Sequence, residues 1–190
     1  VDSTNGWINV QNAEDTETGT PPFISATGGT ISCSGNCRIH TFTGPGTFEV
    51  TRISPTPANN VLSYLVVAGG GAGGIGGDSP AGGGAGGFRE DKSPVTPYTA
   101  SPLDGNPGGT AITATVQSYP ITVGAGAPYP STRGSDSVFS TVTSTGGGRG
   151  SKFCSPAQPA IAGGSGGGGD GGGNTTAGNG NTPSVSPSQG

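Results

Sequence analysis

Apolar residues fall along the chain in short islands, each closed off by glycine or proline. Trp7-Ile-Asn-Val10, Cys37-Arg-Ile-His-Thr-Phe42, Thr47-Phe-Glu-Val-Thr-Arg-Ile53, Leu62 to Ala68, Ala111-Ile-Thr-Ala-Thr-Val116, Tyr119-Pro-Ile-Thr-Val123 and Ser137-Val-Phe-Ser-Thr-Val142 are rich in Val, Ile, Thr and aromatics. That composition suits strands. In Thr47–Ile53 the period is two: Phe48, Val50 and Arg52 share one face, Glu49, Thr51 and Ile53 the other, so Arg52 is the one error in the alternation. Phe42-Thr-Gly-Pro-Gly-Thr-Phe48 reads as a turn between two strands. The longest stretch without Gly or Pro, Trp7 to Thr18, has only twelve residues. Glycine inside a helix costs about 1 kcal/mol and proline about 3 kcal/mol. The prediction is an all-β fold, sandwich-like, with essentially no helix.

Between the islands lie glycine blocks: Gly69 to Gly77, Gly82 to Gly87, Gly163 to Gly173, and the short Gly146-Gly-Gly148. The first follows an apolar run, Ser63-Tyr-Leu-Val-Val-Ala-Gly-Gly-Gly-Ala-Gly-Gly74, and its Gly69, Gly71 and Gly74 spell the dinucleotide-binding pattern G-x-G-x-x-G. That pattern works only where a helix follows and turns its N-terminus to the pyrophosphate. Here fourteen further residues rich in Gly follow and no helix can start, so Glu90 and Asp91, some 20 residues on, are a coincidence of spacing. The blocks lack the Gly-X-Y period of collagen and the Ca²⁺-binding nonapeptide repeat. Without Cβ, backbones approach closely, and extended polyproline-II strands leave every donor and acceptor free for a neighbour. Packed glycine strands are therefore expected. The competing reading is flexible linker, and the tail from Asn174 is the part that suits it best.

Composition sharpens this. Of 190 residues, 41 are Gly and 17 Pro, with 28% hydrophobic and 9% charged. A conventional side-chain core would be small, yet the net charge of −4 is too low for the usual disordered composition. Seven scattered Lys and Arg form no basic stripe, which argues against nucleic acid. No apolar run approaches the ~18 residues of a membrane span. The chain starts at Val1 and holds no Met, so either something was removed from its front or it is an excerpt; secretion with cleavage is the expectation.

Three cysteines occur. Cys33 and Cys37 bracket Ser34-Gly35-Asn36, turn chemistry for a three-residue hairpin loop. Cysteines placed so can be close enough for a disulfide, and that bridge is predicted. A metal site is the weaker reading, since His40 is the only histidine and a fourth ligand is not evident. Cys154 is left over, to stay free or to bridge another chain.

Several pieces then follow in a fixed order: His40-Thr-Phe-Thr-Gly-Pro-Gly-Thr-Phe-Glu-Val50, Tyr64-Leu-Val-Val-Ala-Gly-Gly-Gly71, Gly82-Gly-Gly-Ala-Gly-Gly-Phe-Arg89, Tyr119-Pro-Ile-Thr-Val-Gly-Ala-Gly126, Ser137-Val-Phe-Ser140 and Thr145-Gly-Gly-Gly148. This order resembles the glycine-rich domain of phage tail-fibre and adhesin proteins and of secreted bacterial and environmental proteins, over roughly residues 28–190. The resemblance implies a β-rich unit with packed polyglycine strands in an extracellular appendage or virion, and it carries no catalytic residues to transfer. Thr182-Pro-Ser-Val-Ser-Pro-Ser-Gln-Gly190 looks like the middle of the family pattern, so the natural chain is expected to continue.

No nucleophile elbow occurs and a Ser-His-Asp site would have to use His40, so no enzymatic activity and no cofactor are expected. Glu14, Asp15 and Glu17 read as a solvated loop. Asn174-Thr-Thr176 is a glycosylation sequon. Tyr98, Tyr119 and Tyr129 sit in Pro-rich surroundings; loops for carbohydrate or receptor contact compete with simple cover for a core. The first functional reading is a structural subunit of an extracellular fibre, binding copies of itself. The alternative is a phage receptor-binding adhesin that meets a cell-surface glycan or receptor. An ice-binding protein would want a regular Thr or Ala row, and none is visible. Residues 1–27 form an arm and linker ahead of a domain at 28–190. The arm's strand-like Trp7, Ile8 and Val10 need a sheet edge, in the same domain or, by strand exchange, in a neighbour's.

Overall fold

The structure, a computed structural model, describes residues 23–35, 37–76, 80–106, 108–128, 132–152, 157–171 and 175–190. Eleven strands are described: β1 (Ser25–Thr27), β2 (Thr30–Ser34), β3 (Cys37–Thr41), β4 (Gly46–Arg52), β5 (Val61–Leu62), β6 (Tyr64–Val67), β7 (Phe88–Asp91), β8 (Ile112–Thr113), β9 (Gln117–Thr122), β10 (Ser137–Phe139) and β11 (Val142–Ser144). The one helical turn among the described residues is a 3-10 segment at Pro57–Asn60. The protein is all-β, with a five-stranded sheet in the order β1-β4-β9-β10-β11 and three two-stranded sheets, β2-β3, β5-β8 and β6-β7. Every strand pair within these sheets is antiparallel.

The side-chain core is small and aromatic. Ala26, Phe48, Val50, Ala114 and Tyr119 make one cluster; Tyr64, Val66, Ile112 and Val142 make a second; Leu62 and Phe139 pack on both. Phe139 meets Phe48, Tyr64 and Tyr119 at ring separations of 5.9–6.1 Å, an edge-on range that favours aromatic pairs. The alternation of β4 is as expected, with Phe48 and Val50 buried and Glu49 and Thr51 exposed. Arg52, the one polar residue on the inner face, turns its Nη2 to the Ser25 hydroxyl at 2.6 Å.

Most of the remaining chain continues these strands. The residues after β6, before β7, after β9, before β10 and after β11 run on as glycine-rich extended segments (68–76, 81–87, 123–127, 132–136 and 145–151), and 160–164, 165–169 and 175–181 pack beside them. Their amides alternate partners with a period of three. Ala68, Gly71 and Gly74 donate to the 81–87 segment, while Gly69 and Ala72 donate to 132–136. Three residues per turn, with all bonds made to neighbours, is polyproline-II geometry. Segment 145–151 is the axis: every residue in it is buried, and backbone hydrogen bonds join it to 68–76, 81–87, 132–136, 160–164 and 165–169.

Glycine is required by space in this bundle. A Cβ on Gly69, Gly71, Gly74, Gly84, Gly134, Gly147 or Gly148 would run into a carbonyl oxygen of an adjacent segment. At Gly70, Gly73 and Gly82 the nearest atom lies at 3.6 Å or beyond, and Ala85 follows Gly82 at the same three-residue interval. Side chains close the ends. Gly146 N donates to Asp136 Oδ1 and Thr145 N to Gln189 Oε1, both at 2.8 Å. Arg149, 4% exposed, donates to the carbonyls of Gly150 and Pro159.

Three expectations are corrected. Ser137–Val142 is not one strand: Ser140, at φ +53°, breaks it into the β10–β11 hairpin, with Phe139 opposite Val142. The described tail is docked, not loose: Gly178 and Asn181 donate to Gly167 and Gly164, and Gln189 is 1% exposed. Residues 25–27, counted with the arm, form β1 on the edge of the main sheet.

Candidate functional site

Gly28 and Gly29, at φ +102° and +64°, swing the chain out of β1 into a hairpin, β2–β3, that stands apart from the main sheet. Gly28 needs its freedom twice over, because a Cβ there would strike the Thr47 carbonyl. The hairpin is tied back at its base. His40 Nδ1 donates to Gly28 O at 2.8 Å, so that nitrogen carries the proton, and the ring meets Phe48 edge-on at 5.0 Å. Beyond that base the ribbon is open to solvent. Every residue of β2 is exposed, and Ile31 and Ile39 are each 46% exposed. The register sets Ile31 against His40 and Ser32 against Ile39, so each face carries one bare isoleucine. Among the described residues, neither outer edge of the ribbon pairs with another strand.

The predicted Cys33–Cys37 bridge is not present; both thiols are free. The reason is register. Ser34 pairs with Cys37 and Cys33 with Arg38, leaving a two-residue connection, Gly35 and Asn36, instead of three. Gly35, at φ +54°, supplies the left-handed residue such a connection needs. Alternation then sends Cys33 and Cys37 to opposite faces of the ribbon. Trp7, Ile8, Val10, Cys154, Asn174, Tyr129 and the acidic run at Glu14 lie outside the described residues.

The glycines of the dinucleotide-like pattern are already committed. Gly69, Gly71 and Gly74 donate their amides to Ser135, Gly84 and Ala81, so no nest of free N–H groups remains for a phosphate. Tyr119 belongs to the core, at 5% exposure. Its hydroxyl accepts from Thr115 N at 2.9 Å. Tyr98 does sit on a loop, 39% exposed, beneath Lys92 Nζ at 5.8 Å. Burial, then the charge of and hydrogen bond with Glu90, push its phenol up to about 12. The loop that follows β7 wraps this acidic end: Ser101 N donates to Glu90 Oε2, and Lys92 N and Asn106 N donate to Asp104 Oδ1. Among the described residues no group of three or more His, Cys, Asp or Glu could hold a metal. Nor is any helix among them long and apolar enough to cross a membrane.

Residues 41–190 match the family model of the glycine-rich domain. The chain belongs to the glycine-rich domain family. Neither the curated proteins nor the solved structures gave a match. The matched span holds the bundle and most of the core, and starts at the last residue of β3, so most of the hairpin precedes it. Sequence reading missed β7 and the polar residues that cap the bundle, Asp136, Ser144 and Gln189. Asp136 and Gln189 lie outside the glycine blocks and carry no local signal; only Ser144 sits close to one, two residues ahead of Gly146.

Proposed function

We propose that this glycine-rich domain protein is a structural subunit of an extracellular fibre or filament, built from copies of itself through strand pairing and backbone hydrogen bonds. The observation that carries this reading is the β2–β3 ribbon, with bare isoleucines on both faces and unpaired outer edges among the described residues. A two-stranded ribbon is marginal alone in water, and an open edge is a template for another strand. The strand assigned to it is Trp7-Ile-Asn-Val10 of a neighbouring copy. Residues 11–22, twelve in number, lie between that segment and the first described residue. Fully extended they reach about 40 Å, enough to cross to an adjacent subunit. Such an exchange is head-to-tail and, repeated without closure, gives a filament. The polyglycine bundle suits the role of rigid shaft, since its segments are joined laterally by their own backbones.

The test is electron microscopy of the purified chain and of two variants, one lacking residues 1–13 and one carrying Ile31→Ser and Ile39→Ser. Filaments from the parent and dispersed folded subunits from both variants support the reading. Filaments of unchanged length from the truncated chain contradict it.

One observation favours a second reading, the tail-fibre adhesin. The loop after β7 exposes Val95, Tyr98 and Leu103, leaving that strand at the end opposite the 81–87 segment. Soluble protein that decorates bacterial cells, and loses this when Tyr98 and Leu103 become serine, would favour the adhesin.

A further inference from the structure

A cleft of about 320 Å³ opens between β7 and β11. Arg89 lines it. Arg89 shares the inner face of β7 with Asp91, opposite Val66, and is 8% exposed. Its Nη1 is buried and has no hydrogen-bond partner among the described residues. No carboxylate there pairs with it; the ion pair the described residues do contain, Arg133 with Asp136 at 3.8 Å, lies elsewhere. Buried guanidinium groups are ordinarily paired, because an unmatched buried charge is costly. The other buried arginine of the bundle, Arg149, spends two nitrogens on carbonyls. Arg89 instead faces an opening.

The rest of the lining says what would fill it. Thr110, Thr141 and Thr143 bring hydroxyls, and Pro183 and Val185 bring apolar surface from the docked tail. The Thr110 hydroxyl donates to Asp91 Oδ2 at 2.7 Å, which leaves its oxygen free to accept from a ligand. Asp91 is 0% exposed and its Oδ1 is also unpartnered. A carboxylate beside the site disfavours a dianion such as phosphate and tolerates a monoanion held by the arginine. The volume is at the small end of ligand sites, about 300–1,000 Å³, which is room for one sugar ring.

We infer that this cleft binds a carboxylate-bearing monosaccharide unit of the uronic acid class, its carboxylate on Arg89, its hydroxyls on the threonines and its ring against Pro183 and Val185. The inference is independent of filament formation.

The experiment is an NMR titration of the intact chain with sodium glucuronate, with methyl glucoside and inorganic phosphate as separate arms. Expected are saturable shifts confined to residues 88–91, 109–111 and 141–145 with glucuronate, and none of these with the neutral glucoside. Arg89→Gln should weaken binding roughly tenfold or more, the size of one charge-assisted contact. Thr143→Val, at an exposed strand position where valine is at home, should weaken it severalfold with the spectrum of the free protein otherwise kept; if the arginine variant fails to fold, this one decides. Equal shifts from phosphate, or from the glucoside, would overturn the assignment. So would glucuronate shifts absent from these positions or unchanged in Thr143→Val.

Discussion

Alanine at Gly148 should damage this protein far more than one methyl group suggests. Gly148 lies at the centre of the buried 145–151 segment, with its amide on Ser165 O at 2.9 Å and its carbonyl taking Gly84 N at 2.7 Å. An added Cβ would overlap the Ile161 carbonyl oxygen and come within 2.8 Å of Gly167 N. Ordinary contact begins near 3.4 Å, so the 160–164 segment must retreat by about 1 Å or more. That stretches the bonds from Ile161 N to Arg149 O and from Gly164 N to Gly146 O, now 2.9 and 3.0 Å, beyond useful range. Two buried pairs left unmade cost about 1–3 kcal/mol each, hence about 4 kcal/mol in all. For a chain of this size, that lowers Tm by about 8–16 °C. Gly70→Ala is the control. It is exposed, its nearest contact would be Gly84 O at 3.8 Å, and restricting the unfolded chain should stabilise it by about 0.4–1 kcal/mol. Thermal and denaturant unfolding read both. Equal effects of the two alanines, or a loss below about 1 kcal/mol at Gly148, would refute the packed-glycine reasoning.

Other outcomes follow from named groups. Burial raises the Asp91 carboxyl above its usual range, with Asp104 adding to the rise against the Thr110 hydrogen bond. The native state therefore holds that proton more firmly than the unfolded chain. Its stabilising contribution is complete below the unfolded pKa and is lost as pH rises through the native one. Asp91→Asn should flatten that part of the stability–pH curve; a curve parallel to the parent's in acid would contradict it. Cys33 and Cys37 should both alkylate without prior reduction, and Cys33→Ser should leave Tm unchanged; mass spectrometry showing the two blocked in one peptide would contradict the hairpin register. Alkaline titration of tyrosine absorbance should show Tyr98 ionising late, at about 12, in a step that Tyr98→Phe removes.

What the sequence disclosed depended on which interaction held each part together. The β4 strand was legible to the residue, because Phe48 and Val50 pack by side chain and leave a period of two. The glycine blocks were legible as packed strands from what glycine lacks, and the family pattern pointed the same way. Their partners were not legible, because a run such as Gly69–Gly74 carries no side chains that encode which neighbour each amide meets. The Cys33–Cys37 bridge failed on a single residue of loop length: one residue fewer in the turn sends alternate side chains to the opposite face. The β10–β11 turn was hidden because Ser140 and Thr141 look like strand residues, and the left-handed conformation at Ser140 is imposed by pairing on both sides. Arg89 gave no signal at all, since its importance lies in the partner it does not have.

The central claim is that backbone hydrogen bonds between glycine strands hold the domain together. Amide hydrogen exchange at Gly147, Gly148, Gly150 and Ser151 tests it most directly, since each donates to a different carbonyl inside the bundle. These four should exchange among the slowest amides of the chain, opening only with global unfolding. Exchange at the rate of an unstructured glycine linker, with β4 and β9 still protected, would contradict it.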